Sequence, residues 1–394
     1  MKRRALIQLA AGSTAVLVAG GVWRAQTTGV FSQGQGPAYE LWETWKTDRP
    51  EGALGIIQAG ILAANPHNTQ PWLFSLQESD DQAQIEVYAY LSRELGAMDP
   101  YRREMILGLG CALENMHLAA AAMGYAVETT LASGSLLDAE LEDTPVATLS
   151  LTRRPTTPSE LYEAIPNRHT NRARYDPERS IPADILNAFD ELTAGDPNLK
   201  LMLFTDIDQR QRLAEATVQA TEDIIADAEM IHDSDRWFRH GWQELQRERS
   251  GVHIDASGLP WGIRSLVKVL PPLDAAASHQ AWLDTTRQTV PSSPVLGLIA
   301  VRQLYDINQS LRAGQFWQRI HLYGTTQRIA MQPINQLPER VDRERQLSLP
   351  PGTAATLATL TRDPTWLPTF TFRMGYPTTS ALPSARRTLS AVLI

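Results

Sequence analysis

A single cysteine, Cys111, is all that 394 residues hold. One thiol excludes an intrachain disulfide and any cysteine-built metal centre. In the apolar run Gly108-Leu109-Gly110-Cys111-Ala112-Leu113 it reads as a buried small hydrophobe. Basic charge is also scarce: 36 Lys and Arg stand against 44 Asp and Glu, a formal net charge of -8, with no basic stripe interleaved with aromatics. Nucleic acid is therefore not an expected partner. Common chemical signatures are missing too. No His-Glu-x-x-His, P-loop, Gly-x-Ser-x-Gly or Gly-rich dinucleotide fingerprint occurs, so no metal, ATP, serine-hydrolase or Rossmann site is expected.

What is present begins at the N-terminus. Met1-Lys2-Arg3-Arg4-Ala5-Leu6-Ile7-Gln8 leads into a mildly apolar run from Leu9 to Val22. Basic residues before a short apolar stretch describe an export signal, and Arg3-Arg4 just ahead of Leu6-Ile7 looks like a twin-arginine signal. The expectation is a signal over 1–26 and an exported, periplasmic protein, anchored to the inner membrane through this segment if it is not cut. Residues 27–39, rich in Gln, Thr, Gly, Ser and Pro, are expected to be a flexible linker.

With 43% hydrophobic and 20% charged residues, the remainder can bury a globular core. Leu54, Ile57, Ile61 and Leu62 recur at helical spacing. Trp72–Leu76 and Ile85–Tyr90 then read as a strand pair, 102–124 as a long buried helix, and Ala126–Leu131 and Ala147–Leu151 as strands. A second series follows: a helix from Ile181 to about Leu192, a strand over Lys200–Phe204, a helix over about 208–227, a long helix containing Gly314–Leu322, and a strand over Phe370–Met374. Asn115-Met116-His117-Leu118 has an echo in Arg319-Ile320-His321-Leu322. The expected fold is α+β, internally duplicated, with a first half over 40–160 and a second over 161–394.

Four strings carry chemistry. Asn68-Thr69-Gln70-Pro71-Trp72 puts two side-chain amides on a Pro-braced loop, able to hydrogen-bond a planar heterocycle. Arg168-His169-Thr170-Asn171-Arg172, if extended, places Arg168, Thr170 and Arg172 on one face, an arrangement suited to a phosphate. Pro333-Ile334-Asn335-Gln336 follows the second long helix as a loop whose backbone N–H groups could meet an acceptor. Arg386-Arg387 sits in the C-terminal tail. Each string alone is ordinary.

In this order the four resemble the nitroreductase superfamily, most closely its Acg-like branch of internally duplicated members, over roughly Ala53 to the C-terminus. The resemblance implies a nitroreductase-like fold whose two halves form a pseudo-dimer, a small-molecule substrate, and FMN bound between the halves. Arg168 and Arg386 would bind the FMN phosphate, Thr170 the phosphate or ribityl chain, and Arg172 the pyrimidine edge. Asn68, with Gln70 beside it, would reach across from the first half. Pro333, Ile334, Asn335 and Gln336 would give backbone N–H groups to the flavin. Asn65 stands where relatives carry small hydroxyl residues that contact the flavin, which puts that position's role in question. Only one complete set of motifs is present, so one FMN per chain is expected, in a monomer with pseudo-dimeric halves or a homodimer. The chemistry would be mostly the cofactor's, and no side chain is expected as an acid or base, because solvent can supply protons. Two functions follow: an FMN-dependent oxidoreductase of a nitroaromatic, quinone or other small acceptor working by ping-pong transfer, or a non-catalytic FMN-binding or storage protein with a covered flavin. The stretch 233–264, with Trp237, Phe238, Trp242 and Trp261, is expected to be that cover.

Overall fold

The computed structural model describes residues 22–79, 82–192 and 195–394; most of the expected signal segment lies outside them. In the first half, helix α1 (Glu40–Thr47) precedes the apolar helix α2 (Gly52–Ile61), then strands β1 (Trp72–Glu78) and β2 (Gln82–Ala89). The 20-residue helix α3 (Arg103–Ala122) leads to β3 (Tyr125–Leu131) and β4 (Pro145–Arg153). Every pairing in the resulting sheet is antiparallel, in the order β1-β2-β4-β3. Alternation along β2 sends Ala83, Ile85 and Val87 inward. By length and composition α3 could cross a bilayer, yet sixteen of its twenty residues are buried in protein. The Asp99 carboxylate starts it, accepting the Glu104 and Met105 N–H groups.

The second half has α4 (Ala183–Glu191) and β5 (Leu199–Phe204), then five helices: α5 (Ile207–Ala226), α6 (Ala228–Asp235), α7 (Trp242–Glu248), α8 (Trp261–Val269) and α9 (Ala275–Thr289). After them come β6 (Val295–Val301), the 20-residue α10 (Ile307–Thr326), β7 (Ala330–Pro333), α11 (Gln336–Gln346), α12 (Gly352–Thr361) and β8 (Leu367–Gly375). This sheet is also antiparallel throughout, in the order β5-β6-β8-β7. Read strand for strand, that is the order of the first sheet, with a long helix between the second and third strands of each. The α5–α9 segment is inserted where the first half has a tight β1–β2 connection.

The long helices pack against each other at two glycines. A Cβ on Gly110 would lie 2.1 Å from the Leu311 carbonyl oxygen, and one on Gly314 would lie 2.0 Å from that of Leu107. The contact is reciprocal, at positions 204 residues apart (107 to 311, 110 to 314). The same offset relates the flanking polar pairs. Arg319 donates to both Glu114 carboxylate oxygens at 2.7 and 2.9 Å, and Gln318 donates to Asn115 at 2.8 Å. It also relates His117 to His321, so the short sequence echo lies along the reciprocal contact of the two long helices.

Two boundaries differ from the sequence expectation. Residues 27–39 form two short 3-10 turns docked on the insertion rather than a flexible linker. Lys268 donates to Gly29 O, Arg264 to Gln33, and Gln246 to Gln35 O. Buried Val30, Ala38 and Tyr39 supply apolar anchorage that the polar composition hides. The C-terminal tail crosses back to the first half: Phe74 N–H donates to Val392 O, and Ile394 N–H donates to Phe74 O.

Candidate functional site

The buried meeting of the two halves centres on the end of α2. Its last carbonyls lack helical partners, and two arginines from the second half take them. Arg168 donates from Nη2 to Leu62 O at 3.2 Å, and its Nη1 lies 3.4 Å from His321 Nδ1. Arg386 donates from Nη2 to Ala63 O at 3.0 Å and from Nη1 to Asn68 Oδ1 at 2.6 Å. The Arg386 guanidinium also sits 5.0 Å from the Trp42 ring centroid. Both arginines are buried, at 2% and 3% exposure, and the Nε of each lacks a partner. No carboxylate pairs with either among the described residues.

Buried cations without a counter-ion are costly. Burial pulls the Arg168 guanidinium down to about 10, and burial plus repulsion from Arg168 pulls Arg386 well below its ordinary value. The neighbouring histidines are held neutral. Burial first, then Arg168 and Arg386, lowers His169 to about 3, and burial with Arg168 lowers His321 well below normal. An anion placed here would meet two unpaired donors and a concentrated positive field.

The Asn68 loop is strained. His67, Asn68 and Gln70 adopt φ of 45°, 54° and 54°, a left-handed conformation costing about 1–2 kcal/mol for each non-glycine residue. Their amides hold the shape. Asn68 Nδ2 donates to Gly251 O and Ala385 O. Gln70 Nε2 donates to Arg249 O, and Gln70 Oε1 accepts from Arg387 N–H. Asn65 Oδ1 accepts from Gln70 N–H. These side chains thus fasten the loop to the insertion and the tail, where the sequence suggested a ligand. His67 meets Ser234 at 3.2 Å and the edge of Phe238. The 233–264 segment therefore contacts the loop at Ser234 and Phe238.

The remaining residues are less gathered. Arg172 is half-buried and donates to Ala256 O at 3.2 Å. Burial and then Arg172 lower His67 to about 4, which places Arg172 by the same loop. Thr170 is half-buried between the two arginines of its motif. The four-residue loop expected at Pro333–Gln336 is shorter: Pro333 ends β7 and Gln336 begins α11. Pro333 has no N–H to give, and the Ile334 N–H is already bonded to Thr371 O. Only Asn335 and Gln336 keep free N–H groups at a helix start. The side chain of Asn335 accepts from Thr371 N–H at 2.9 Å.

The sequence reading missed Trp42, Leu62, Ala63 and His321 as neighbours of the arginines, and the role of Arg387. Carbonyl acceptors leave no sequence signal. It also missed a buried acidic group beyond the Asn335 turn. Arg103 pairs with Asp342 at 2.7 Å, with Asp99, Glu104 and Glu339 nearby. Burial dominates, lifting Glu339 to about 8 and Glu104 well above the carboxylate range.

Two open cavities of about 330 and 270 Å³ meet at His117, lined by Tyr125, Thr129, Arg154, Arg312 and Gln315 among others. His117 is the counterpart of His321, but Arg154 and Arg312 are exposed, so no buried cation pair is built on that side.

Fold and site together define a two-half α+β protein with a buried pair of arginines, unmatched by any carboxylate among the described residues, where its halves meet. Over 292 residues, 71% of this chain and 75% of the relative, the sequence is 23% identical to the Mycobacterium tuberculosis H37Rv protein named "Putative NAD(P)H nitroreductase Rv3131", and equally to its strain CDC 1551 counterpart MT3217. No protein-family model matches the chain. Among solved structures, the FMN-dependent nitroreductase NfnB from Mycobacterium smegmatis in complex with NADPH is 18% identical, with a TM-score of 0.36, covering 59% of this chain and 96% of that one. The FMN and NADPH-dependent NfnB from Sphigopyxis sp. strain HMH is 15% identical, with a TM-score of 0.39, covering 59% and 97%.

Proposed function

We propose that this chain is an FMN-dependent oxidoreductase of the nitroreductase type, of the duplicated Acg-like branch. It holds one flavin between its halves, with the phosphate between Arg168 and Arg386. The observation that carries the reading is the pair of buried guanidiniums with unpartnered Nε groups and no carboxylate. A phosphate supplies the missing counter-charge and accepts from both. The sequence relatives support the class, and the shared strand order with the 204-residue contact supports duplication. The exposed arginines beside His117 support a single flavin.

FMN, when bound, supplies two-electron transfer between a nicotinamide donor and a small acceptor such as a nitroaromatic or quinone, in two half-reactions. The protein's own residues do the rest. Arg168 and Arg386 would hold the phosphate, and Arg172 would supply positive charge toward the ring system. The 233–264 cover would exclude water. The N–H groups of Asn335 and Gln336 would be hydrogen-bond donors at the start of α11. Export by the twin-arginine route fits a protein that folds around its cofactor before leaving the cytoplasm, and places it in the periplasm.

The grip of Gly251 and Arg249 on Asn68 and Gln70 favours a second reading, a flavin kept covered for storage. Anaerobic NADPH separates the two: bleaching of the bound flavin supports the reductase, and no bleaching with NADPH or a chemical mediator supports storage. The binding site itself is tested by Arg168→Ala with Arg386→Ala. The double variant is expected to purify colourless, and retention of stoichiometric flavin would remove the phosphate assignment.

A further inference from the structure

Helix α8 is built inside out. Its two charged residues face the protein and its large apolar residues face solvent. Lys268 reaches the buried Asp255 carboxylate at 2.6 Å and Gly29 O at 3.0 Å. Arg264, 5% exposed, donates to Gln33 at 2.9 Å. Outward stand Trp261, Ile263, Leu266 and Val267, continuing past the helix end to Leu270 and Leu273, most of them half exposed or more. No Asp or Glu occurs between Asp255 and Asp274. A helix in water normally arranges itself the other way round. A contiguous apolar face of this kind marks a surface that something covers.

The occupant is indicated by what leaves the same face. Arg24 Nε donates to Val269 O at 2.6 Å, so the described chain begins against the end of α8. Trp23 is 68% exposed there, and the run Leu9–Val22 immediately precedes it. We propose that the outward face of α8, with Trp23, docks on the lipid bilayer that holds the N-terminal segment, lying in the interface with its apolar side down. Tryptophan at both ends of the contact suits the headgroup level. The inference rests on the retained N-terminal segment of the export reading. It would hold the insertion, and the cover over the Asn68 loop, at the membrane surface, where apolar acceptors dissolved in lipid would be the substrates within reach.

Trp23 and Trp261 are the only tryptophans more than half exposed among the ten, which supplies an internal probe. Full-length chain is mixed with phosphatidylethanolamine–phosphatidylglycerol vesicles whose acyl chains carry bromine, a contact quencher of tryptophan. In Trp23→Phe, emission is expected to fall on vesicle addition. Adding Trp261→Phe should remove that loss. Adding Leu266→Glu with Leu270→Glu instead should cut it at least about fivefold, with unchanged circular dichroism showing that the fold is kept. Co-flotation with the vesicles but no quenching in Trp23→Phe would overturn the docking face while leaving the anchor. No co-flotation would overturn both. A concentration-dependent dimer in sedimentation that the double glutamate variant dissolves would assign the face to a second copy and overturn the proposal.

Discussion

Replacing Arg168 with Met is expected to stabilise the flavin-free protein and to weaken flavin binding by about ten- to a hundredfold. A guanidinium held at about 10 instead of 12.5 has its charged form disfavoured by about 3 kcal/mol. Methionine fills a similar volume without the charge. Two contacts are lost. Leu62 O keeps an acceptor role, because Arg386 Nη2 also reaches it at 3.4 Å. His321 Nδ1 is left without its donor, which costs about 1 kcal/mol. The net gain for the flavin-free form is about 1–2 kcal/mol at pH 7. With an anion bound the sign reverses, since the charged donor to phosphate contributes about 1.5–3 kcal/mol. Urea unfolding of flavin-free wild type and Arg168→Met, each with and without saturating FMN, reads all four states. A flavin-free variant less stable than wild type by more than about 1 kcal/mol, with FMN affinity unchanged, would refute the view that Arg168 is an unpaired charge waiting for an anion.

Four further outcomes are expected. Gly110→Ala should destabilise by about 2 kcal/mol or more, because its Cβ would press on Leu311 O. Gly262→Ala in α8, where nothing lies within 4 Å, should stabilise by about 0.5–1 kcal/mol; equal effects in urea melts would contradict the tight crossing. His67 is held at about 4, below its ordinary 6.5, so the unfolded chain binds the extra proton between those values. Its own contribution to stability should then fall by up to about 3 kcal/mol as pH drops from 6.5 to 4, beside those of buried His169 and His321, and His67→Gln should reduce the slope in chemical denaturation by that share; an unchanged slope would exclude His67 as a contributor. Changing Arg3-Arg4 to Lys-Lys should leave the protein in the cytoplasm on fractionation, and undiminished export would point to a different route.

Much of the fold was legible because its signals are local. Alternation marked β1 and β2, and helical spacing marked α2. The paired glycines of the long helices lay inside runs recognisable as buried helix. β6 was not legible: Val295–Val301 is buried at every residue, and an unbroken apolar run has no period to read. Docking of residues 27–39 depended on partners more than two hundred residues away. At the site, Arg168 and Arg386 were named from their strings, but their convergence on Leu62 and Ala63 involves carbonyls that any sequence could provide. Asn68 and Gln70 were expected to face a ligand. Instead they hold a left-handed loop, a role set by the backbone of Gly251, Arg249 and Ala385.

The most direct test of the account is the amount of FMN released per chain when the purified full-length protein is denatured, measured for wild type and for Arg168→Ala with Arg386→Ala. One FMN per wild-type chain and none in the variant is the expected result. A wild type without flavin after reconstitution, or a variant that still carries one per chain, would contradict the claim that these two buried arginines exist to hold a flavin phosphate.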